Sequence, residues 1–286
     1  MTLLFMSMAM AATIAAPGSG RIDASLHGIV ATRPARVVHL GQSAIVLQPA
    51  DRSTLLTITD AAAGVTPGGL SIPNRAHFAR VRGDLATAGV GATVDLSSWT
   101  AAAMQPVDLV LKPTTLSGAT ILAVARALAD ARPSASSSFD GGLARVRSRA
   151  ADLASAALAR EPRRVVAEVI GAGPGTTPTG DDLLVGCLAA LAVLGRGDAA
   201  SVLSGATAPL LEATTTASRH YLVAAASGRF SEHVHELVDG FSAGRPADLI
   251  VEHATRWGAT SGVDLLIGLT ETLRADLAAR TEEGVA

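Results

Sequence analysis

Residues 171–186 read Gly-Ala-Gly-Pro-Gly-Thr-Thr-Pro-Thr-Gly-Asp-Asp-Leu-Leu-Val-Gly. Glycines alternate at Gly171, Gly173 and Gly175, and then Asp181 and Asp182 open an apolar run over 183–194. This predicts a glycine-rich loop delivering the start of a buried helix. Such a loop lets backbone approach a ligand, and a helix start offers N–H groups to an anion. No Gly-Lys-Ser/Thr follows, which excludes a Walker loop, and the glycine spacing excludes a dinucleotide fingerprint. The run is the length of a core helix, not of a membrane helix.

A shorter version of the stretch recurs near the C-terminus. Residues 260–268, Thr-Ser-Gly-Val-Asp-Leu-Leu-Ile-Gly, align without gaps on 178–186. Thr179 matches Ser261, Gly180 matches Gly262, Asp182 matches Asp264 and Gly186 matches Gly268. Two loop-to-helix units facing each other across one site are expected. Thr179 with Asp182, and Ser261 with Asp264, have capping-box spacing, which gives both acids a structural explanation. Asp181 has none, because its counterpart is Val263. A second carboxylate beside the first tends to raise one of the two pKa values. Asp181 is therefore the first choice for a chemical role: metal binding, holding a substrate N–H, or proton transfer. Gly186 and Gly268 sit inside apolar helices, and close approach of two helices would explain them.

The chain has 286 residues, 49% of them hydrophobic but only 3% aromatic, so the core is built of Ala, Leu and Val. The net charge of −2 and the absence of a basic block or interleaved aromatics speak against nucleic acid. Lys112 is the only lysine. Cys187 is the only cysteine, which excludes an intrachain disulfide, and its place in the apolar run suits a packed thiol.

An apolar N-terminal extension is expected over 1–20. No Lys or Arg precedes its apolar run, so an extension or packed first helix of a cytoplasmic protein is favoured over a signal peptide. Residues 21–112 carry β-type runs at 37–48 (broken at Gly41), 54–59 and 107–111, with turn signals at Gly64, Pro67, Gly68, Gly69 and Pro73. A Ser/Gly loop is expected over 134–142. One helical face over 143–157 and further Ala-rich helices follow to the end. The fold class is α+β: a β-rich N-terminal domain, a small barrel or sandwich, then an Ala-rich helical domain over 113–286 that carries both motif loops.

The pattern of Gly171 to Gly186, with the later Thr260 to Gly268, resembles the AllH-type family, formerly a domain of unknown function. The resemblance implies a subunit of oxamate carbamoyltransferase in allantoin (purine-ureide) degradation. Such a protein moves a carbamoyl group between oxalurate and phosphate, giving oxamate and carbamoyl phosphate, and works with other subunits. The family usually has Gly-His before its second Thr-Ser-Gly; here those places hold Gly258 and Ala259.

The residues are compatible with that chemistry. Backbone N–H groups over 173–177, with the hydroxyls of Thr176 and Thr177, suit phosphate. Asp181 and Asp182 oppose an anion at the same helix tip, unless it sits back on the glycines or a divalent cation such as Mg2+ lies between. Residues 214–221, Thr-Thr-Thr-Ala-Ser-Arg-His-Tyr, hold the best carboxylate ligand, Arg219, beside Ser218. The expected catalytic pair is Asp181 and Arg219. The expected binding set is Gly173, Gly175, Thr176, Thr177, Gly180, Asp182, Ser218, Thr260, Ser261 and Asp264. His233 and His235, two apart on a helix, do not share a face and do not chelate together. His253 and Trp257 are expected to pack behind the second loop. Alternatives are a ligand-sensing or scaffolding subunit, and a metal-dependent hydrolase using Asp181, Asp182 and Asp264.

Overall fold

In the computed structural model, residues 12–14, 19–26, 34–50, 54–96, 98–99, 104–130 and 138–283 are described. The chain forms two compact units, Met1–Asp108 and Leu109–Ala286. Of the expected N-terminal extension, residues 1–11 and 15–18 lie outside the described residues.

Among the described residues, the strands of the first unit form one eight-stranded mixed sheet rather than the two of a sandwich. Its strands are β1 (Ala12–Thr13), β2 (Gly20–Asp23), β3 (Ala35–Leu40), β4 (Ala44–Pro49), β5 (Leu56–Asp60), β6 (Gly69–Ile72), β7 (Thr93–Asp95) and β8 (Met104–Val107). Their order across the sheet is β1-β7-β3-β4-β5-β6-β2-β8. The β3–β4 hairpin turns at Gly41, as the sequence break predicts, with the Gly41 N–H on the Ala44 carbonyl. β5 and β6 run parallel over a short connection. Two bonds hold the β6 end: the Gly68 N–H on buried Asp23 Oδ2 at 2.7 Å, and the Thr59 hydroxyl on the Leu70 carbonyl at 3.1 Å. Ile22, Val37, Ile45, Leu47, Ile58 and Leu70 form the core with Phe78, Val81 and Leu85.

Those last three belong to α1 (Arg75–Ala88), a helix that the strand-like reading of 21–112 does not contain. Asn74 caps it by accepting from the Ala76 and His77 N–H groups. Its large apolar residues fall at helical spacing and face the sheet core.

The run at 107–111 is not one strand. Residues 104–107 join the sheet, while Leu109 and Leu111 belong to the second unit and bond to Phe230 and Gly228. The second unit is helical: α2 (Gly118–Asp130), α3 (Ser138–Arg147), α4 (Ala150–Leu158), α5 (Arg163–Val169), α6 (Thr179–Val193), α7 (Gly197–Thr207), α8 (Thr216–Ala226), α9 (Glu232–Ser242), α10 (Ala247–Thr255) and α11 (Ser261–Glu283). A 3-10 stretch, Ala208–Ala213, links α7 to α8, with Pro209 at its start. The Ser/Gly loop expected at 134–142 is already α3 from Ser138, and 134–137 lie outside the described residues. The single face expected over 143–157 is divided between α3 and α4.

α6 is apolar on nearly every side and buried accordingly. Its main partner is α11. A Cβ on Gly186 would meet the Leu265 carbonyl oxygen at 2.1 Å, and one on Gly268 would meet that of Leu183 at 2.2 Å. Leu183 and Leu265 are themselves equivalent in the repeat, so the contact is reciprocal. The backbones touch at both points, and only glycine permits this spacing. Burial pushes the Cys187 thiol up to about 12, which keeps it protonated and inert.

His233 on α9 is buried, with its ring stacked on Trp257 at 3.6 Å and 16°. His235 points elsewhere, its Nε2 3.1 Å from the Leu109 carbonyl oxygen. His253 Nε2 lies 3.2 Å from Glu236 Oε2. Among the described residues no helix is long and apolar enough to cross a membrane.

Candidate functional site

The two repeat units meet at their helix starts. α6 and α11 run side by side in the same direction, with N-termini adjacent and Gly186 and Gly268 at the close approach. The Thr177 and Ser261 hydroxyls are 2.7 Å apart. The Thr179 hydroxyl donates to Asp264 Oδ2 at 2.9 Å. This corrects the capping-box expectation. A capping box has the hydroxyl and the acid each on a backbone N–H of their own helix start; here the Thr179 and Ser261 hydroxyls bond side chains across the two helices. Thr179 serves the acid of α11, while Ser261 lies beside Asp182 of α6 and helps to stabilise its charged form. Pro178 is the cap residue of α6 and makes no side-chain cap bond.

Both units also pack by the same means. A Cβ on Gly180 would meet the Val169 carbonyl oxygen at 1.8 Å, at the end of α5. On the equivalent Gly262 it would meet that of Ala254 at 2.1 Å, at the end of α10. Gly180 thus serves packing, and its N–H is bonded to the Ala172 carbonyl. In the loop, Gly173 has φ of +116° and folds its α-carbon against the Thr179 N–H, a turn that a side chain would block. Residues 173–176, Gly175 and Thr176 among them, are exposed, and Thr177 is half-buried.

Three carboxylates lie in the first turns of the paired helices. Asp181, expected to act chemically, has both oxygens bonded within the chain: Oδ1 accepts the Gly171 N–H at 2.8 Å, and Oδ2 accepts the Thr214 hydroxyl. Asp264 is fully buried and likewise engaged, by Thr179 and by Arg147 Nε at 2.6 Å. Asp182 differs. Its Oδ2 is buried and has no hydrogen-bond partner among the described residues. Burial, and next the charges of Asp264 and Asp181, push its carboxyl well above the usual carboxylate range, against the opposing hydroxyls of Ser261 and Thr177. With Asp264 paired with Arg147 and the Asp182 carboxyl shifted toward its neutral form, the negative charge at this helix tip is lower than the sequence suggests.

The segment 214–218 does reach the loop. Thr214 bonds Asp181, and the Thr215 hydroxyl donates to the Thr176 carbonyl at 2.5 Å while accepting the Ser218 N–H. The Ser218 hydroxyl is buried without a partner among the described residues. Arg219 turns away from the bonded cluster: Nε donates to the Leu211 carbonyl and Nη1 pairs with Glu212 at 2.6 Å. Thr260 is half-buried, and its carbonyl accepts the Asp264 N–H. Arg147 belongs to no motif, and no sequence signal singled it out.

Among the described residues no group of three or more His, Cys, Asp or Glu is placed to hold a metal ion. A cavity of about 410 Å3 lies at the other end of α6 and α11, lined by Leu116, Ile121, Leu194, Leu277 and Arg280 among others. Its acid, Asp276, is paired with Arg196 and Arg280. The motif cluster, with its open buried oxygen, is the stronger candidate site.

Residues 169–273 match the model of a protein family described as oxamate carbamoyltransferase subunit AllH. No curated protein and no solved structure matches the chain.

Proposed function

We propose that the chain is an AllH-type subunit of a carbamoyltransferase, a reading supported by the match over residues 169–273, and that its small-molecule site lies where the two motif loops meet. The observation that supports this most is the crosswise bonding of the two helix starts, Thr177 to Ser261 and Thr179 to Asp264. Two parallel helix N-termini direct their dipoles at one point, which favours an anionic ligand.

The substrates in this reading are oxalurate and phosphate, giving carbamoyl phosphate and oxamate, within ureide catabolism. A phosphate oxygen attacks the carbamoyl carbon and the carbonyl electron pair moves onto oxygen. The pair returns as the C–N bond to the oxamate nitrogen breaks, and the proton lost by hydrogen phosphate ends on that nitrogen. Such a transfer needs positioning and stabilisation of charge on the carbonyl oxygen, with no covalent enzyme intermediate. Gly173, Gly175 and Thr176 form the phosphate-facing loop, and the Thr177 and Ser261 hydroxyls hold the carbamoyl-bearing substrate between the two helix starts. Asp181 serves as a clasp between loop and α8, and Asp264 as the acid that sets Thr179 and Arg147. Arg219 secures the start of α8 from its bonds to residues 211 and 212. Other subunits complete the enzyme.

The test is turnover by the assembly purified with this chain, measured as carbamoyl phosphate formed from oxalurate and phosphate. Ser261→Ala is expected to lower kcat/KM about tenfold or more, the loss of one hydrogen bond to a charged group. An assembly that turns over oxalurate equally well with Ser261→Ala would instead assign this chain a sensing or scaffolding role.

A further inference from the structure

Of the six carboxylate oxygens at the paired helix starts, four are bonded by Gly171, Thr214, Arg147 and Thr179. Of the two on Asp182, Oδ2 is buried and bonded by nothing among the described residues. A buried polar oxygen without a partner destabilises a fold, and such groups persist where a ligand completes them. Asp182 is 8% exposed, so it lies just beneath the surface. Above it the Thr177 and Ser261 hydroxyls bond to each other. Thr177 ends the exposed strap 173–176, which the Thr215 hydroxyl also ties down through the Thr176 carbonyl. Exchanging that hydroxyl contact for contacts to a ligand uncovers the carboxyl.

We propose that Asp182 binds the carbonyl oxygen of a carbamoyl or carboxamide group, entering where the Thr177–Ser261 pair closes over it. The inference rests on the carbamoyltransferase reading and names the contact that reading needs. The charged groups facing Asp182 are Asp181 on its own helix and Asp264 on α11, the latter neutralised by Arg147 on α3. Next to them Asp182 favours its neutral form, whose O–H donates to an acceptor. As a nucleophile adds to the carbamoyl carbon, negative charge grows on the oxygen that this O–H holds. A neutral carboxylic acid in a dry site is a strong donor at that moment. A phosphate group lies on the glycine strap, away from Asp182.

The probes are carbamoyl phosphate, oxamate and inorganic phosphate, titrated calorimetrically into the full chain with the subunits that co-purify with it. Asp182→Ala is expected to weaken carbamoyl phosphate and oxamate about tenfold or more, and inorganic phosphate by less than about twofold. Asp182→Asn keeps an N–H donor and is expected to stay within about threefold of the wild type for all three. If Asp182→Ala melts far below the wild type, Asp182→Leu, which fills the volume without a donor, takes its place. Wild-type affinity for carbamoyl phosphate in the donorless variant would overturn the Asp182 contact while leaving the carbamoyltransferase reading intact. Equal weakening of all three probes would also overturn it, because the loss would not follow the carbonyl. No binding of any probe by the wild type would overturn both.

Discussion

Gly186→Ala is expected to lower the unfolding free energy by about 2–3 kcal/mol, despite replacing glycine by the best helix former. In an open helix the change would gain about 1 kcal/mol. Here the new Cβ would lie 2.1 Å from the Leu265 carbonyl oxygen and 2.7 Å from the Leu269 nitrogen. Both are backbone atoms of α11 and cannot rotate away, so the helices must part. Overpacking a close-packed interior typically costs about 1–3 kcal/mol, occasionally more. Gly268→Ala is expected to match it, because its Cβ would meet the Leu183 carbonyl oxygen at 2.2 Å. Once one substitution has separated the helices, the other is largely accommodated. The double variant should therefore cost clearly less than the sum of the singles. Denaturant titration of the four proteins measures this. Additive losses, or a stabilised Gly186→Ala, would contradict the reciprocal contact.

The second large effect is an acid limb from His233. Burial, with smaller contributions from the charges of His253 and His235, pushes this ring from 6.5 down to about 3. The folded-state pKa is depressed, so between those values the unfolded chain binds a proton that the folded chain refuses. Stability is fully present above pH 6.5 and falls with acid by about 1.4 kcal/mol per unit until the folded ring also protonates. His233→Phe keeps a flat ring against Trp257 and removes the titration. Its urea midpoint is expected to vary much less than the wild type's between pH 7 and 4. An unchanged slope in the variant would place the acid sensitivity elsewhere. The stack matters to the motif end as well, since the Trp257 carbonyl accepts the Gly262 N–H at 3.0 Å.

The helical half and its central pair were legible from two signals: the apolar run behind Asp182, and glycines at 186 and 268 where helix propensity disfavours them. The β3–β4 hairpin was legible because its break at Gly41 interrupts a β-branched run. α1 was not read, because Pro73 and Gly83 punctuate a mixed sequence; its usable signal was Asn74 followed by Phe78, Val81 and Leu85. The capping-box reading failed for a physical reason. In a duplicated motif, a hydroxyl and an acid three apart can serve backbone N–H groups of their own helix start or side chains of the other, and spacing cannot separate these. Arg147 was invisible because its partner is 117 residues away and its own surroundings carry no motif. The choice between Asp181 and Asp182 turned on which oxygens the fold already satisfies, which no linear pattern records.

The central claim is that the two loops form one site. The most direct test is the oxamate-induced rise in melting temperature, which grows as RT ln(1 + [L]/Kd), for the wild type, Thr177→Val and Ser261→Ala. One variant lies in each motif, and their side chains touch at 2.7 Å. If the loops share one ligand, either substitution removes most of the rise and the pair together removes little more. A full rise in either single variant would contradict the shared site.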